Sequence, residues 1–284
     1  MRCLSRLSLT LIVLSVSGFA QTLPTFKNVF IVLEENANYS SVIGSPSMPY
    51  LNSLASTYGL ATEYYANTHP SIGNYFMLTT GEIVTNNDDY SGTVKIDNVV
   101  RHLLTAGRTW KAYEESLPHV GYTTPDVGEY ARRHCPLSYL SDVIDSKTEI
   151  LNLVPFTQFA TDLASGSLPE YSFITPNLCN DAHDCALGTA DSWLKTNIAP
   201  LIKSSAFQNG GLLIIVFDES ANDNTHGGGQ IAWVAVSPEF SNAGYKSTTL
   251  YQHQSTLRLM MQGLGLTTYP GKAKKAANMA EFFK

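Results

Sequence analysis

Two short apolar runs organise the chain. Gly210-Gly-Leu-Leu-Ile-Ile-Val-Phe217 carries no polar side chain, and it passes abruptly into Asp218-Glu219. A run that is apolar on both alternating faces suits a strand in the middle of a parallel sheet, with helices covering each side. Asn28-Val-Phe-Ile-Val-Leu33 is a second such run, and it ends in Glu34-Glu35-Asn36. In open α/β sheets, ligands bind outside the carboxyl ends of the strands. Acids at both ends therefore point to a cation site if the two strands are neighbours, with solvated turns as the competing reading.

The pattern elsewhere alternates between helical and extended. Tyr50, Leu51, Leu54 and Ala55 fall at helical spacing and predict a helix from about Met48 to Tyr58. Pro70 ends an extended segment, Ser71 is a good N-cap and Gly81 a good stop, so a helix is predicted to begin at Ser71. Further helices are expected near 99–105, 156–163, 190–204 and 254–264. Strands are expected near 108–113, 171–174 and 231–236, with an irregular tyrosine-rich stretch to about 140 and a polar, glycine-rich loop over 220–229. Such alternation predicts an α/β fold with a mostly parallel central sheet sandwiched by helices.

Residues 1–20 carry Arg2 and Arg6, an apolar stretch from Leu7 to Val16, and small residues before a cut after Ala20. That is the pattern of a signal peptide, so the mature chain is expected to be secreted or periplasmic. No later segment offers the roughly 20 apolar residues of a membrane span. Residues 21–284 are long enough for one α/β domain, and no linker or repeat divides them. Without Arg2 and Arg6, 16 Lys and Arg remain against 24 Asp and Glu, a net charge of −8, which argues against nucleic acid as a partner. Cys135, Cys179 and Cys185 then sit in an oxidising compartment. A Cys179–Cys185 disulfide would pin the loop between them and leave Cys135 free, although three cysteines leave the connectivity open.

Ser71 is the candidate nucleophile. A hydroxyl at a helix N-terminus faces the positive end of the dipole and several free N–H groups, which favours an alkoxide and cradles a phosphate; a plain N-cap serine is the alternative. The surrounding residues, His69-Pro-Ser-Ile-Gly-Asn-Tyr-Phe-Met-Leu-Thr-Thr-Gly81, resemble the nucleophile segment of the alkaline phosphatase superfamily. The match is best to its bacterial phosphoesterase family of acid phosphatases and phospholipases C. Glu35-Asn36 followed by Tyr39 resembles that family's opening metal motif, and Asp218-Glu219 its late acidic pair. The resemblance runs in order from residue 28 to beyond 253. Gly73 stands where the family usually has proline, and Ala37-Asn38 where a basic residue and Ser or Thr are common. The resemblance implies a divalent cation held by Glu35, Asn36, Asp218 and Glu219, and a phosphate oxygen bound by the Asn74 amide.

The histidines are candidates for proton transfer and substrate contact. His183, in Asp181-Ala-His-Asp184, is the candidate general acid, with Asp181 orienting it or sharing its metal. His69 lies close enough to Ser71 to touch the same phosphate. His226 precedes three glycines that suit close approach to a ligand, a flexible loop being the alternative. His134 is read as a substrate contact beside Arg132 and Arg133 as anion binders. His253 is read as a phosphate contact or as a cap of the last helix, and His102 and His119 as structural. The expected reaction is hydrolysis of a small phosphate ester through a phosphoserine, protonated at the leaving oxygen by His183, His69 or His226. Oxygen-rich ligands favour calcium, magnesium or manganese, with zinc or iron open because histidines are near. An acid phosphatase-like monoesterase is expected, with a phosphodiesterase or phospholipase C acting on phospholipid as the alternative. A serine hydrolase lacks its Gly-x-Ser-x-Gly elbow here. A non-catalytic secreted protein binding a cation or anion is the remaining alternative, because fold alone does not establish chemistry.

Overall fold

The computed structural model describes residues 23–240 and 242–283; residues 1–20, read above as a signal peptide, lie outside them. The strands are β1 (Asn28–Glu34), β2 (Gly59–Ala61), β3 (Tyr64–Tyr65), β4 (Trp110–Glu114), β5 (Leu153–Pro155), β6 (Tyr171–Thr175), β7 (Gly211–Phe217), β8 (Trp233–Val236), β9 (Tyr245–Ser247) and β10 (Tyr251–Gln252). The helices are α1 (Tyr39–Val42), α2 (Pro49–Thr57), α3 (Ile72–Thr80), α4 (Val99–Thr105), α5 (Ser141–Ile144), α6 (Thr157–Ser165), α7 (Leu187–Asn197), α8 (Ala199–Lys203), α9 (Ser205–Gln208) and α10 (His253–Gly263). Eight strands form one sheet in the order β5-β4-β6-β1-β7-β8-β2-β9, and β10 pairs with β3 apart from it.

The two apolar runs are the middle of that sheet. β1 and β7 pair in parallel over their full lengths, with Asn28 opposite Gly211 and Glu34 opposite Phe217. All seven residues of β7 are buried, as is β1 from Val29 onward. Burying each such Val, Leu or Ile side chain stabilises the fold by roughly 1.5–3 kcal/mol, which fixes these strands at the centre. β6 flanks β1 on the other side, also in parallel. The register brings the residues after β1, β6 and β7 to a single sheet edge, where the expected acids meet.

Three features depart from the periodicity. The helix expected over 190–204 is broken at Ile198, because Pro200 enters the first turn of a new helix, α8. β8 runs antiparallel to β7, so the sheet is mostly rather than wholly parallel. The two- and three-residue strands β2, β3, β5, β9 and β10 are too short to show any period. Cys179 and Cys185 form a disulfide, and Cys135 is free and buried. Among the described residues no helix is long and apolar enough to cross a membrane.

Candidate active site

At the carboxyl edge of β1, the pleat sends Glu34 and Glu35 to opposite faces. Both are fully buried. Glu35 accepts hydrogen bonds from the Ser71 hydroxyl at 3.1 Å and from the Tyr75 hydroxyl at 2.5 Å. Ser71 and Tyr75 are one helical turn apart on α3, so one carboxylate holds both. Asn36 adopts a left-handed backbone, φ 43°, which turns its N–H onto Asp218 Oδ1 at 3.0 Å. The Glu219 N–H donates to the same oxygen at 2.6 Å.

Ser71 departs from its expected capping role. Its backbone is already helical, its side chain makes no cap bond, and its hydroxyl is turned towards Glu35. The cap comes from Asp88, which accepts from the Ile72 N–H at 3.3 Å across 16 residues of sequence. Gly73 fits the same clamp: a Cβ there would come within 2.3 Å of Asn86 Oδ1 and 2.6 Å of the Thr68 methyl.

The loop after β6 brings Asp181 and His183 to the same edge. The His183 N–H donates to Asp181 Oδ1 at 2.8 Å, and its Nδ1 lies 2.7 Å from Asp184 Oδ1. With Nδ1 donating to that carboxylate, Nε2 is left to face the site. His134 arrives from the segment after β4, stacked on the Tyr75 ring at 5.0 Å. Its Nε2 lies 3.4 Å from Glu35 and its Nδ1 3.5 Å from Asp181, too far for good hydrogen bonds. Ligand atoms of Glu35, His134 and His183 all lie within 4.8 Å of one another.

Electrostatically the edge is crowded with acid. Burial, before any neighbouring charge, pushes Asp181 up to about 7, Asp218 to about 6 and Glu219 to about 9. Burial and then the Asp218 and Asp181 charges raise Glu35 well above the carboxylate range, while the Tyr75 bond lowers it. Burial lowers His134 well below its ordinary value, so it is a neutral imidazole. Asn36 Oδ1, His134 Nε2, Asp181 Oδ2 and Asp218 Oδ2 are buried without a hydrogen-bond partner among the described residues. Unpaired buried acceptors carry a desolvation cost, and a group of oxygen and neutral imidazole donors is the set a divalent cation would satisfy. The residues present therefore fit such an ion.

Placement bears on several of the expected roles. The Asn74 carboxamide is taken up by the Asn67 and Thr68 N–H groups, the Thr68 carbonyl and Glu219, so it braces the loop before Ser71 and has no free donor for phosphate. His134 is 2% exposed and faces Glu35 and Asp181, which suits a ligand and not a substrate contact. Arg132 donates to Ser138 and lies over the Tyr139 ring, while Arg133 pairs with Asp126, so neither is a free anion binder. The His226 ring packs against Tyr65 at 4.4 Å. The glycines beside it pack tightly on protein: a Cβ on Gly227 or Gly228 would come within 2.2 Å of the Asn67 carbonyl or 2.4 Å of the Thr68 carbonyl. His253 is fully buried with both ring nitrogens engaged, so it cannot reach a phosphate. Burial, partly offset by its bond to the Asp218 carbonyl, lowers its pKa to about 4. His69 stays at the rim, with Nδ1 3.1 Å from Glu219 and Nε2 3.0 Å from the Asp223 carbonyl. Tyr75 was not singled out in the sequence; its i+4 spacing from Ser71 was the available signal.

A mostly parallel sheet sandwiched by helices, with a serine and acids gathered at its carboxyl edge, is the fold found in solved proteins of the alkaline phosphatase superfamily. A solved Vibrio parahaemolyticus protein of that superfamily superposes with a TM-score of 0.60 at 15% identity, covering 90% of this chain and 72% of that one. More narrowly, the Phosphoesterase family profile matches residues 45–267, and the chain belongs to that family. It is 33% identical over 256 residues to a phosphatidylinositol-3-phosphatase of Mycobacterium tuberculosis, covering 89% of this chain and 83% of that protein. It is also 33% identical over 245 residues to a probable acid phosphatase of Kluyveromyces lactis, covering 82% of this chain and 56% of that longer protein.

Proposed function

We propose that the chain is an exported, cation-dependent hydrolase of phosphate monoesters that works through a phosphoserine at Ser71. The observation that carries this reading is the Ser71 hydroxyl at the head of α3, bonded to buried Glu35 beside the partnerless atoms of Asn36, Asp181, His134 and Asp218. Glu35 and Asp218 would hold the ion, Asn36 Oδ1 and His134 Nε2 would be further donors, and Asp181 and Glu219 are the other acids near them. A divalent cation bound there supplies positive charge to the phosphoryl oxygens and to the serine oxygen.

The remaining steps belong to the side chains. Ser71 passes its proton towards the Glu35 carboxylate that already accepts its hydrogen bond, and its oxygen attacks phosphorus in line. His183, with Nδ1 held by Asp184, protonates the leaving oxygen through Nε2 and then takes a proton from the water that cleaves the phosphoserine. His69 is less suited, because both of its nitrogens are occupied. The relatives named as phosphatases favour monoesters, and the mycobacterial name favours a monoester carried on a lipid headgroup. Export is supported by the pattern of residues 1–20 and by the Cys179–Cys185 disulfide.

The test is Ser71→Ala with an aryl phosphomonoester, an aryl phosphodiester and a phosphatidylinositol monophosphate as substrates. Turnover should fall by about 10³-fold or more on monoesters, and quenched wild-type enzyme should carry phosphate on the Ser71 peptide. A diester turned over faster than either monoester would overturn the substrate class. Release of no phosphate under any added cation would leave a binding protein instead.

A further inference from the structure

Asp218 is held on every side but one. Its N–H donates to the Glu34 carbonyl at 2.9 Å, and its Oδ1 accepts from the Asn36 and Glu219 N–H groups. Its carbonyl accepts from His253 Nε2 at 2.7 Å, and only Oδ2 is left, buried and without a partner. The fourth restraint leads into a chain of buried polar groups. The Trp233 indole lies 2.9 Å from Thr256 Oγ1, Thr256 Oγ1 lies 2.6 Å from the Tyr64 hydroxyl, and Tyr64 lies 3.2 Å from His253 Nδ1. Trp233, Tyr64, Thr256 and His253 are all fully buried.

The direction of every proton in this chain is fixed by its two ends. An indole N–H only donates, and a carbonyl only accepts. His253 must therefore carry its proton on Nε2, which leaves Nδ1 to accept from the Tyr64 hydroxyl. Tyr64 in turn accepts from the Thr256 hydroxyl, whose oxygen accepts from Trp233. One arrangement satisfies all four groups. The rings add a steric lock, with Tyr64 stacked on Trp233 at 5.9 Å and edge-on to His253 at 5.7 Å. The chain runs from β8 through α10 and β3 to the residue that follows β7, so it ties β8, β3 and α10 to one backbone atom.

We infer that His253 is a positioning residue, which Tyr64, Thr256 and Trp233 hold in its Nε2–H form so that Asp218 presents Oδ2 alone, as a one-oxygen ligand, to the cation. This rests on the proposed reading of Asp218 as a ligand. Groups that orient a ligand from behind change cation affinity by about 10- to 100-fold when removed. A residue that only fills space would change stability and leave that affinity as it was.

The experiment measures Mn²⁺ affinity of the chelator-treated mature protein by titration calorimetry, with Mn²⁺ dependence of turnover alongside. His253→Leu should weaken Mn²⁺ by at least about tenfold, and Tyr64→Phe by several-fold, with lost turnover recovered at high Mn²⁺. His253→Gln, which keeps a donor and an acceptor, should stay within about threefold of wild type. Nitrogen-15 spectra of the wild type should show His253 protonated on Nε2. If His253→Leu fails to fold, Tyr64→Phe and the tautomer still decide the matter. Wild-type Mn²⁺ affinity in Tyr64→Phe, or an Nδ1–H tautomer, overturns the inference. Asp218→Ala separates the two levels: if it still binds Mn²⁺ as the wild type does, the reading of the site itself fails.

Discussion

Glu35 is the residue on which the site turns, since it accepts from both Ser71 and Tyr75 and lies across the strand pair from Asp218. The Tyr75 bond is the contact that draws its pKa down, against burial and the charges of Asp218, Asp181 and Glu219. Tyr75→Phe should therefore raise the Glu35 pKa further, so the ionised form that takes the Ser71 proton is reached only at higher pH. The acid limb of the kcat/KM profile should move to higher pH, with a stability loss of about 1 kcal/mol for the missing hydrogen bond. An unmoved acid limb would remove Glu35 from the proton path. That Ser71, Glu35 and Asp218 meet at one sheet edge was legible in the sequence, because each sits at the end of a strongly patterned element. Asn74, His134 and His253 were not assignable, because burial and the choice of partner are set by segments far away in sequence.

The elements show the same division. β1 and β7 were readable from their unbroken apolar runs and α3 from its start and stop residues, whereas short strands such as β2 and β10 depend wholly on their neighbours. α3 illustrates how an element serves the site: Asp88 caps its first N–H, so Ser71 is relieved of that role. Asp88→Ala should cost about 1 kcal/mol, read in the thermal midpoint, and Asp88→Asn should restore most of it. Equal losses in both would show that charge, not the cap bond, is what α3 uses. The Asp181–His183 loop has its own device in the disulfide between Cys179 and Cys185. Replacing both cysteines by serine should lower stability by about 2 kcal/mol on loop-closure grounds. On the proposed role of His183 it should lower kcat more than it raises KM; a change in KM alone would argue that the loop only shapes the entrance.

Across the whole molecule, bringing strand ends together concentrates acid: among the described residues Asp181 feels the Arg133 charge, yet burial outweighs it. Asp218, Asp181 and Glu219 are raised to about 6, 7 and 9, and buried Glu114 to about 8, each chiefly by burial. Unfolded carboxyls titrate near 4, about 0.1 to 0.3 above or below that value by type. A folded pKa above the unfolded one means that the fold binds the proton more tightly. That stabilisation is complete below about pH 4 and is lost as pH rises through about 6 to 9. His134 and His253 act in the opposite sense: their folded values are depressed, so their stabilisation is present above about 6.5 and is lost as pH falls below it. Without a cation the protein should therefore be most stable near about pH 5 to 6 and weaken steadily towards pH 9. A divalent cation needs the carboxylates ionised, so its affinity rises over the same interval, and stabilisation by mass action grows with it. Thermal midpoints should thus fall from about pH 6 to pH 9 after chelation, and hold level or rise with about 1 mM Mn²⁺. At about pH 5 the ion should change them little. A midpoint raised equally at both ends of the range would mean that the ion binds elsewhere, away from the carboxylates that β1, β6 and β7 bring together.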